Sequence, residues 1–242
     1  MCDFRSKLIG APMFSWFKRK PFPPLPEIYR LLFADLSLDQ WLALPGANQA
    51  AMQGAGPWQR AAKAKASLVN GDKDGAIAVL QEGLQGEGQE SRTILQTWQF
   101  LRALGVEPPV AEAKRVYGAV LEVPTNGGLD VLAAYSDHRA RYLNYSGSAI
   151  FWESPQPAMS EKIDAFLAAA QKIADEIGPW EGARRPAPVG GHARITMLTP
   201  SGLHFGEAKL SVLMKDGMAL QAVLKGSELM EALVGMAKKP NK

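Results

Sequence analysis

Apolar residues between positions 27 and 109 recur every three to four residues, which is the spacing of one face of a helix. The pattern predicts four helices, over residues 27–44, 58–69, 74–84 and 90–104. Helix-breaking residues such as Pro45, Gly46 and Gly105 follow the apolar stripes and end these helices. We therefore expect a helical region over residues 27–109.

The pattern changes near residue 113, where β-branched and aromatic residues gather in short runs. These runs predict four strands, over residues 115–123, 129–135, 139–145 and 149–153. Short turns separate them, and the asparagine and glycines of residues 125–128 are a strong hairpin signal. Four strands joined by tight turns indicate an antiparallel meander.

The rest of the chain alternates between helical and strand-like patterns. An amphipathic helix is predicted over residues 160–177, then a hairpin of strands 193–198 and 203–207, and finally a C-terminal helix. The predicted order is β-β-β-β-α-β-β-α, with the strands grouped and not in strict alternation with helices. This order predicts an α+β fold, with a helical N-terminal region followed by an antiparallel-sheet domain over residues 113–242 that packs against helices.

Residues 1–26 differ in composition from the rest of the chain. They hold five basic residues against one acidic residue, so they account for the whole net charge of +3. A nucleic-acid binder usually carries its positive charge on the folded body, so this balance argues against nucleic acid as a partner. The prolines of residues 21–26 favour extended backbone, which predicts a basic, proline-rich flexible leader.

The leader also contains a candidate membrane contact. Aromatic residues stand beside three consecutive cations, a mixture that favours the surface of an anionic bilayer. The candidate residues are Phe14, Trp16, Phe17, Lys18, Arg19 and Lys20. The alternatives are a leader without a binding role, or a chain that starts at Met13.

Cysteine content and hydropathy indicate the compartment. The single cysteine, Cys2, excludes an internal disulfide, which fits a reducing compartment. No apolar run approaches the roughly 18 residues of a spanning helix, and the N-terminus lacks a secretory pattern. We predict a cytoplasmic protein, with peripheral membrane contact through the leader as a further possibility.

Motifs for catalysis and for metal or cofactor binding are missing from the sequence. The histidines His138, His192 and His204 do not have the spacing of a zinc motif, and no nucleophile elbow or phosphate-binding loop occurs in a fitting context. We therefore predict no metal, no cofactor and no enzymatic activity. A hydrolase whose active site is assembled from distant residues stays an alternative.

The densest group of polar and aromatic residues lies in the predicted meander. Tyrosine, tryptophan and arginine dominate interaction hot spots, so this group is a candidate binding surface. Its members are Tyr135, Arg139, Arg141, Tyr142, Tyr145 and Trp152. Alternation places Arg141 and Tyr145 on one face of the sheet and Tyr142 on the other. The alternative is that these residues stabilise the sheet through cross-strand pairs.

The chain also carries resemblances to known proteins. Residues 71–84, which run GDKDGAI and then place Leu80 and Leu84 on one stripe, resemble the turn and second helix of a tetratricopeptide-repeat hairpin. The order of elements over the C-terminal half resembles the profilin-like and roadblock/longin-like folds. Residues 128–135 and 141–147 resemble segments of bacterial proteins without an assigned activity.

These patterns lead to one main functional hypothesis and three alternatives. The absence of catalytic motifs and the aromatic surface favour a non-catalytic interaction or adaptor protein of a bacterial cytoplasm. The roadblock/longin resemblance implies a regulator of a small GTPase or a dimeric platform. A toxin-neutralising protein with one tight partner and an unrecognised hydrolase are the others.

Overall fold

The structure is a computed structural model that describes residues 28–52, 56–85, 88–153 and 155–237. These residues form helices and a six-stranded antiparallel sheet, with helices packed around the sheet. The predicted α+β class is confirmed, and the four strands, helix, two strands and final helix follow in the predicted order.

The helices and strands have the following bounds. The helices are α1 (Ile28–Leu31), α2 (Leu38–Leu42), α3 (Ala47–Met52), α4 (Pro57–Val69), α5 (Lys73–Glu82), α6 (Ser91–Ala103), α7 (Val110–Ala113), α8 (Pro157–Glu176), α9 (Leu210–Leu213) and α10 (Gly217–Ala237). The strands are β1 (Gly118–Thr125), β2 (Gly128–Tyr135), β3 (Ala140–Leu143), β4 (Ala149–Trp152), β5 (His192–Thr199) and β6 (Gly202–Lys209).

The sheet joins the predicted meander to the second hairpin through β1. Its strand order is β4-β3-β2-β1-β5-β6, and every neighbouring pair is antiparallel. In this register Glu122 of β1 lies opposite Arg194 of β5, which lies opposite Glu207 of β6. The second hairpin therefore brings three charged residues into line across the sheet.

Both faces of the sheet are covered. On one face α8 and α10 pack their apolar stripes, including Ile163, Phe166 and Leu229, against β1, β2 and β5. On the opposite face, residues 28–36 contribute Leu32 and Phe33, and α6 contributes Leu95. The central strands are buried on both sides. They therefore carry continuous runs of apolar residues, whereas the strands of a half-exposed sheet alternate apolar and polar residues.

The predicted helix over residues 27–44 is wrong as a single element, because the chain breaks into α1 and α2. Ala34 adopts a positive φ of 49°, and Ser37 begins α2 with a capping box that includes Gln40. Side chains from elsewhere bind the carbonyls left free at the break: Tyr135 donates to Leu32 and Gln96 donates to Leu36. The apolar stripe continues across the break because Leu32, Phe33 and Ala34 pack on the sheet.

Candidate functional site

The two edge strands of the sheet differ in how far the rest of the chain covers them. Along β6, the backbone N–H of Trp180 donates to the carbonyl of Leu203 at 2.7 Å, so residues 178–191 occupy part of that edge. Within the described part of the chain, no strand pairs with the outer side of β4. An uncovered edge presents backbone donors and acceptors to which another strand can add.

The register of the β3–β4 pair determines which backbone groups of β4 point outward. The N–H of Asn144 donates to the carbonyl of Ser148 at 2.9 Å, just beyond the end of the ladder. Hydrogen-bonded and non-hydrogen-bonded pairs alternate in an antiparallel ladder. Ile150 is therefore bonded to β3, whereas the N–H and C=O groups of Ala149 and Phe151 face away from the sheet.

An aromatic ring and a charge network stand at this edge. The Phe151 side chain is 49% exposed, and the guanidinium of Arg141 lies 5.5 Å from the centre of its ring. Arg141 pairs with Glu153 at 2.6 Å, and Arg139 contacts both Glu153 at 3.3 Å and Asp137 at 2.9 Å. The ion pair with Glu153 holds Arg141 beside the exposed ring, and Arg139 joins the same network through Glu153.

Tyr135, a member of the predicted surface, lies in the core. It is 1% exposed, and its hydroxyl donates to the carbonyl of Leu32 at 2.7 Å. Burial raises the pKa of Tyr135, so the phenol stays protonated and keeps this donor. Residues 28–36 cover the tyrosine, and its side chain fastens that segment to β2.

Three other predicted surface residues lie on or near the face that carries α8 and α10. Tyr142 donates to Asp130 at 2.8 Å, and the backbone N–H of Tyr145, in the turn after β3, donates to the same carboxylate at 3.0 Å. Burial raises the pKa of Asp130, although both hydrogen bonds act in the opposite direction. Trp152 packs against the helix-side core. The structure thus divides the six residues between two faces, and their shared binding role stays a prediction.

A buried charge network on the opposite face was missed by the sequence analysis. Glu122 is fully buried and accepts a 2.6 Å hydrogen bond from the hydroxyl of Tyr29. Arg194 lies 3.6 Å from the second carboxylate oxygen of Glu122 and 2.7 Å from Glu207. The signal that could have revealed it is a charged residue in the middle of an apolar strand, in both β1 and β5.

Burial raises and Arg194 lowers the pKa of each glutamate, and the net result differs between Glu122 and Glu207. Burial raises the pKa of Glu122, and the hydrogen bond from Tyr29 and the charge of Arg194 only partly oppose this rise. Burial also acts to raise the pKa of Glu207, but there the hydrogen bond and charge of Arg194 prevail and the pKa is lowered. Arg194 also donates to the carbonyls of Arg185 and Pro186, which ties residues 178–191 to the sheet.

The histidines make ordinary contacts. His138 lies 3.0 Å from Asp164, and His192 lies 3.5 Å from Glu207. No group of three or more histidine, cysteine, aspartate or glutamate side chains in the described ranges has an arrangement that could hold a metal ion.

His204 is buried beside the turn between β5 and β6. Its Nδ1 lies 3.1 Å from the carbonyl of Ile177 and its Nε2 lies 3.2 Å from the hydroxyl of Ser201. Since a carbonyl only accepts, Nδ1 carries the proton and Nε2 accepts from the serine. The backbone N–H of Ser201 donates to Ala113. Together these contacts anchor the turn to the ends of α7 and α8.

The candidate membrane contact, Phe14 to Lys20, lies outside the described residues. Among the helices that the structure does describe, none combines the length and the apolar character needed to cross a membrane.

Comparisons with protein-family models, with curated proteins and with solved structures found no match to this chain. The resemblances to tetratricopeptide-repeat, profilin-like and roadblock/longin-like proteins therefore stay predictions, and the function has to be argued from the geometry.

Proposed function

We propose that this protein is a non-catalytic interaction protein that binds an extended segment of a partner by strand addition to β4. The observation that carries the proposal is the open, apolar edge at Ala149–Trp152. In strand addition, backbone hydrogen bonds supply affinity and alternate side chains supply specificity.

The composition of β4 supports this role. Sheet edges that must stay unpaired usually carry lysine, proline or a bulge, which hinder the approach of another strand. The sequence of β4 is Ala-Ile-Phe-Trp, without a charge or a proline. Trp180 and the segment around it cover the opposite edge at Leu203, so the two edges are treated differently.

The side chains beside β4 supply the means to select a partner. Phe151 offers an exposed aromatic face, and Arg141 lies next to it with a carboxylate from Glu153 already in place. Arg139 shares that carboxylate and is about one-third exposed. An added strand would meet an aromatic ring bordered by paired charges, a combination typical of binding hot spots.

Replacing Phe151 with proline is expected to weaken partner binding at least about tenfold, which is about 1.4 kcal/mol. The substitution removes the outward N–H together with the aromatic ring. Because the N–H of Phe151 faces away from β3, proline leaves the β3–β4 hydrogen bonds in place, as it does on natural edge strands. Affinity capture from the organism that encodes the chain, followed by titration of the purified partner, measures the effect.

Two further variants separate the causes. Phe151→Thr keeps the backbone donor and removes the ring, so it should cost less than the proline. Val110→Thr is the control: it removes an apolar side chain that is 95% exposed and lies outside β4, so it should leave binding unchanged. Hydrogen exchange should show protection of the Phe151 amide on binding. Equal affinity of the wild type and Phe151→Pro would contradict strand addition at this edge.

Light scattering on the purified protein distinguishes a second copy of the chain from a different partner. A dimer that Phe151→Pro converts to a monomer would identify β4 as the contact of a dimeric platform. A monomer with one stoichiometric partner would instead support the adaptor or toxin-neutralising role.

A further inference from the structure

The two residues of β4 whose backbone groups face away from the sheet differ greatly in the size of their side chains. Ala149 carries a methyl group and is exposed, and Phe151 carries a ring that is 49% exposed. Because alternate residues of a strand share a face, both side chains lie on the same side of the sheet. A small and a large side chain two residues apart make this edge complementary to a reversed copy of itself.

A second copy of β4 can pair with the first in three antiparallel registers that use the outward backbone groups. The two-fold axis passes through Ala149, Ile150 or Phe151. An axis through Ala149 or Phe151 leaves the other outward residue opposite Gly147 or Glu153, which lie outside the strand. Only the axis through Ile150 places both outward residues of each copy in hydrogen-bonded pairs within β4.

The side chains also fit best in the register centred on Ile150. The ring of Phe151 then lies opposite Ala149 of the second copy, whose methyl group leaves room for it. An axis through Phe151 would instead set two rings directly opposite each other and place the charged Glu153 opposite Ala149. Cross-strand neighbours are the unit of sheet stabilisation, so this difference favours the register centred on Ile150.

The charges beside the edge are compatible with the same register. Glu153 pairs with Arg141 of its own chain at 2.6 Å. With the axis through Ile150, Glu153 lies opposite Gly147 of the second copy, and its own copy lies several residues away. No carboxylate therefore stands opposite another, an arrangement that would destabilise the pairing.

The other face of the edge is apolar. Ile150 and Trp152 pack against the helix-side core. The helix α10 contacts both β5 and β4 and approaches β1 at Gly226, and α9, which precedes it, contacts β6. The C-terminal half of α10 therefore runs toward β4, and it ends near Met236, which is 39% exposed. In the paired register Ile150 would meet its own copy across the axis, on this apolar face.

We propose that β4 pairs with β4 of a second copy of this chain, antiparallel and centred on Ile150, so that two six-stranded sheets join into one. This inference rests on the proposed function, because it names a second copy as the partner that adds to the edge. The contact strand has only four residues, so the interface is small. A reversible dimer with a dissociation constant of about 1–100 µM is expected.

Cysteine cross-linking of the full chain tests the register, in a Cys2→Ser background that removes the native thiol. Ile150→Cys places two thiols in a non-hydrogen-bonded pair, where Cα atoms about 4.5 Å apart suit a disulfide. With oxidised glutathione it should give a covalent dimer. Ala149→Cys is the matched control, because its thiol lies diagonal to its own copy, with the Cα atoms about 7–8 Å apart, and should stay unlinked.

Light scattering of the unaltered chain between about 1 and 100 µM provides the second measurement and should show a monomer–dimer equilibrium. Phe151→Pro should shift its dissociation constant at least about tenfold toward the monomer. A chain that stays monomeric would overturn the homodimer but not strand addition, which is judged separately by whether Phe151→Pro releases a captured partner. A dimer that Ala149→Cys cross-links and Ile150→Cys does not, or that neither variant cross-links, would also overturn the proposal.

Discussion

Replacement of Arg194 with methionine is expected to lower the free energy of unfolding by about 3–5 kcal/mol, the usual cost of breaking a buried ion pair. Arg194 is 2% exposed and lies between Glu122, which is fully buried, and Glu207. Methionine fills much of the same space, so the main loss is electrostatic. Glu122 would lose the arginine charge and keep only Tyr29 as a hydrogen-bond partner in the core.

Chemical denaturation and thermal unfolding measure this loss, and Tm should fall by roughly 10 °C in a chain of this size. The double variant Arg194→Met, Glu122→Gln removes the unpaired charge and should recover most of the lost stability. Glu122→Gln alone should cost less than Arg194→Met, since Arg194 then still pairs with Glu207 at 2.7 Å. If the double variant were as unstable as Arg194→Met, the cause would be packing or the lost hydrogen bonds from Arg194 to the carbonyls of Arg185 and Pro186, and not the charge of Glu122.

The stability deficit of Arg194→Met, which is its loss in free energy of unfolding relative to the wild type, should also depend on pH. Burial raises the pKa of Glu122 in the folded state, so the folded protein holds this proton more tightly than the unfolded chain does. Stability from this group is therefore present at acid pH and lost as pH rises through the folded pKa. Loss of Arg194 raises that pKa further, because the arginine charge acts to lower it.

The deficit should thus be larger at about pH 8 than at about pH 5, and the double variant should remove the difference. The stability contributed by Glu207 depends on pH with the opposite sign. Its folded pKa is lowered, so the stability that it contributes is lost only as pH falls below the ordinary glutamate range. Measurements above that range separate the two glutamates. A deficit that does not change with pH would contradict the role of Glu122.

The hydrophobic pattern predicted the strands and the long helices within a few residues, because each of them buries a regular stripe against the core. It failed between α1 and α2 for a physical reason. Leu32, Phe33 and Ala34 are apolar because they cover the sheet. Side chains distant in sequence, those of Tyr135 and Gln96, bind the carbonyls freed by the break. The local signal for the break was the capping pair of Ser37 and Gln40.

The candidate site was harder to predict because its exposure depends on which segments cover the sheet. Tyr135 and Phe151 are both aromatic residues of predicted strands, yet residues 28–36 bury the first, whereas no described strand pairs with the outer side of β4, which carries the second. The line of Glu122, Arg194 and Glu207 depends on the pairing of β1 with β5. In the sequence these two strands are separated by β2, β3, β4 and α8, so no short-range pattern specifies their pairing.

The close contact of α10 with the sheet leads to the second large stability effect, at Gly226. A Cβ atom added at Gly226 would lie 2.5 Å from a methyl carbon of Leu121 and 3.2 Å from the ring of Phe166. Both neighbours are fully buried, so neither can move aside without disturbing β1 or α8. Gly226→Val should therefore destabilise the protein by about 3 kcal/mol through overpacking, against a gain of only a few tenths from better helix propensity.

Gly235 in the same helix provides the matched control, because a Cβ there meets nothing within 4 Å. Gly235→Val makes the same chemical change at an exposed position and should alter the free energy of unfolding by less than about 0.5 kcal/mol. Urea unfolding of both variants, with the slope of the transition compared to that of the wild type, separates overpacking from a change in the unfolded state. Equal stability of the two variants would mean that α10 does not approach β1 as closely as Gly226 allows.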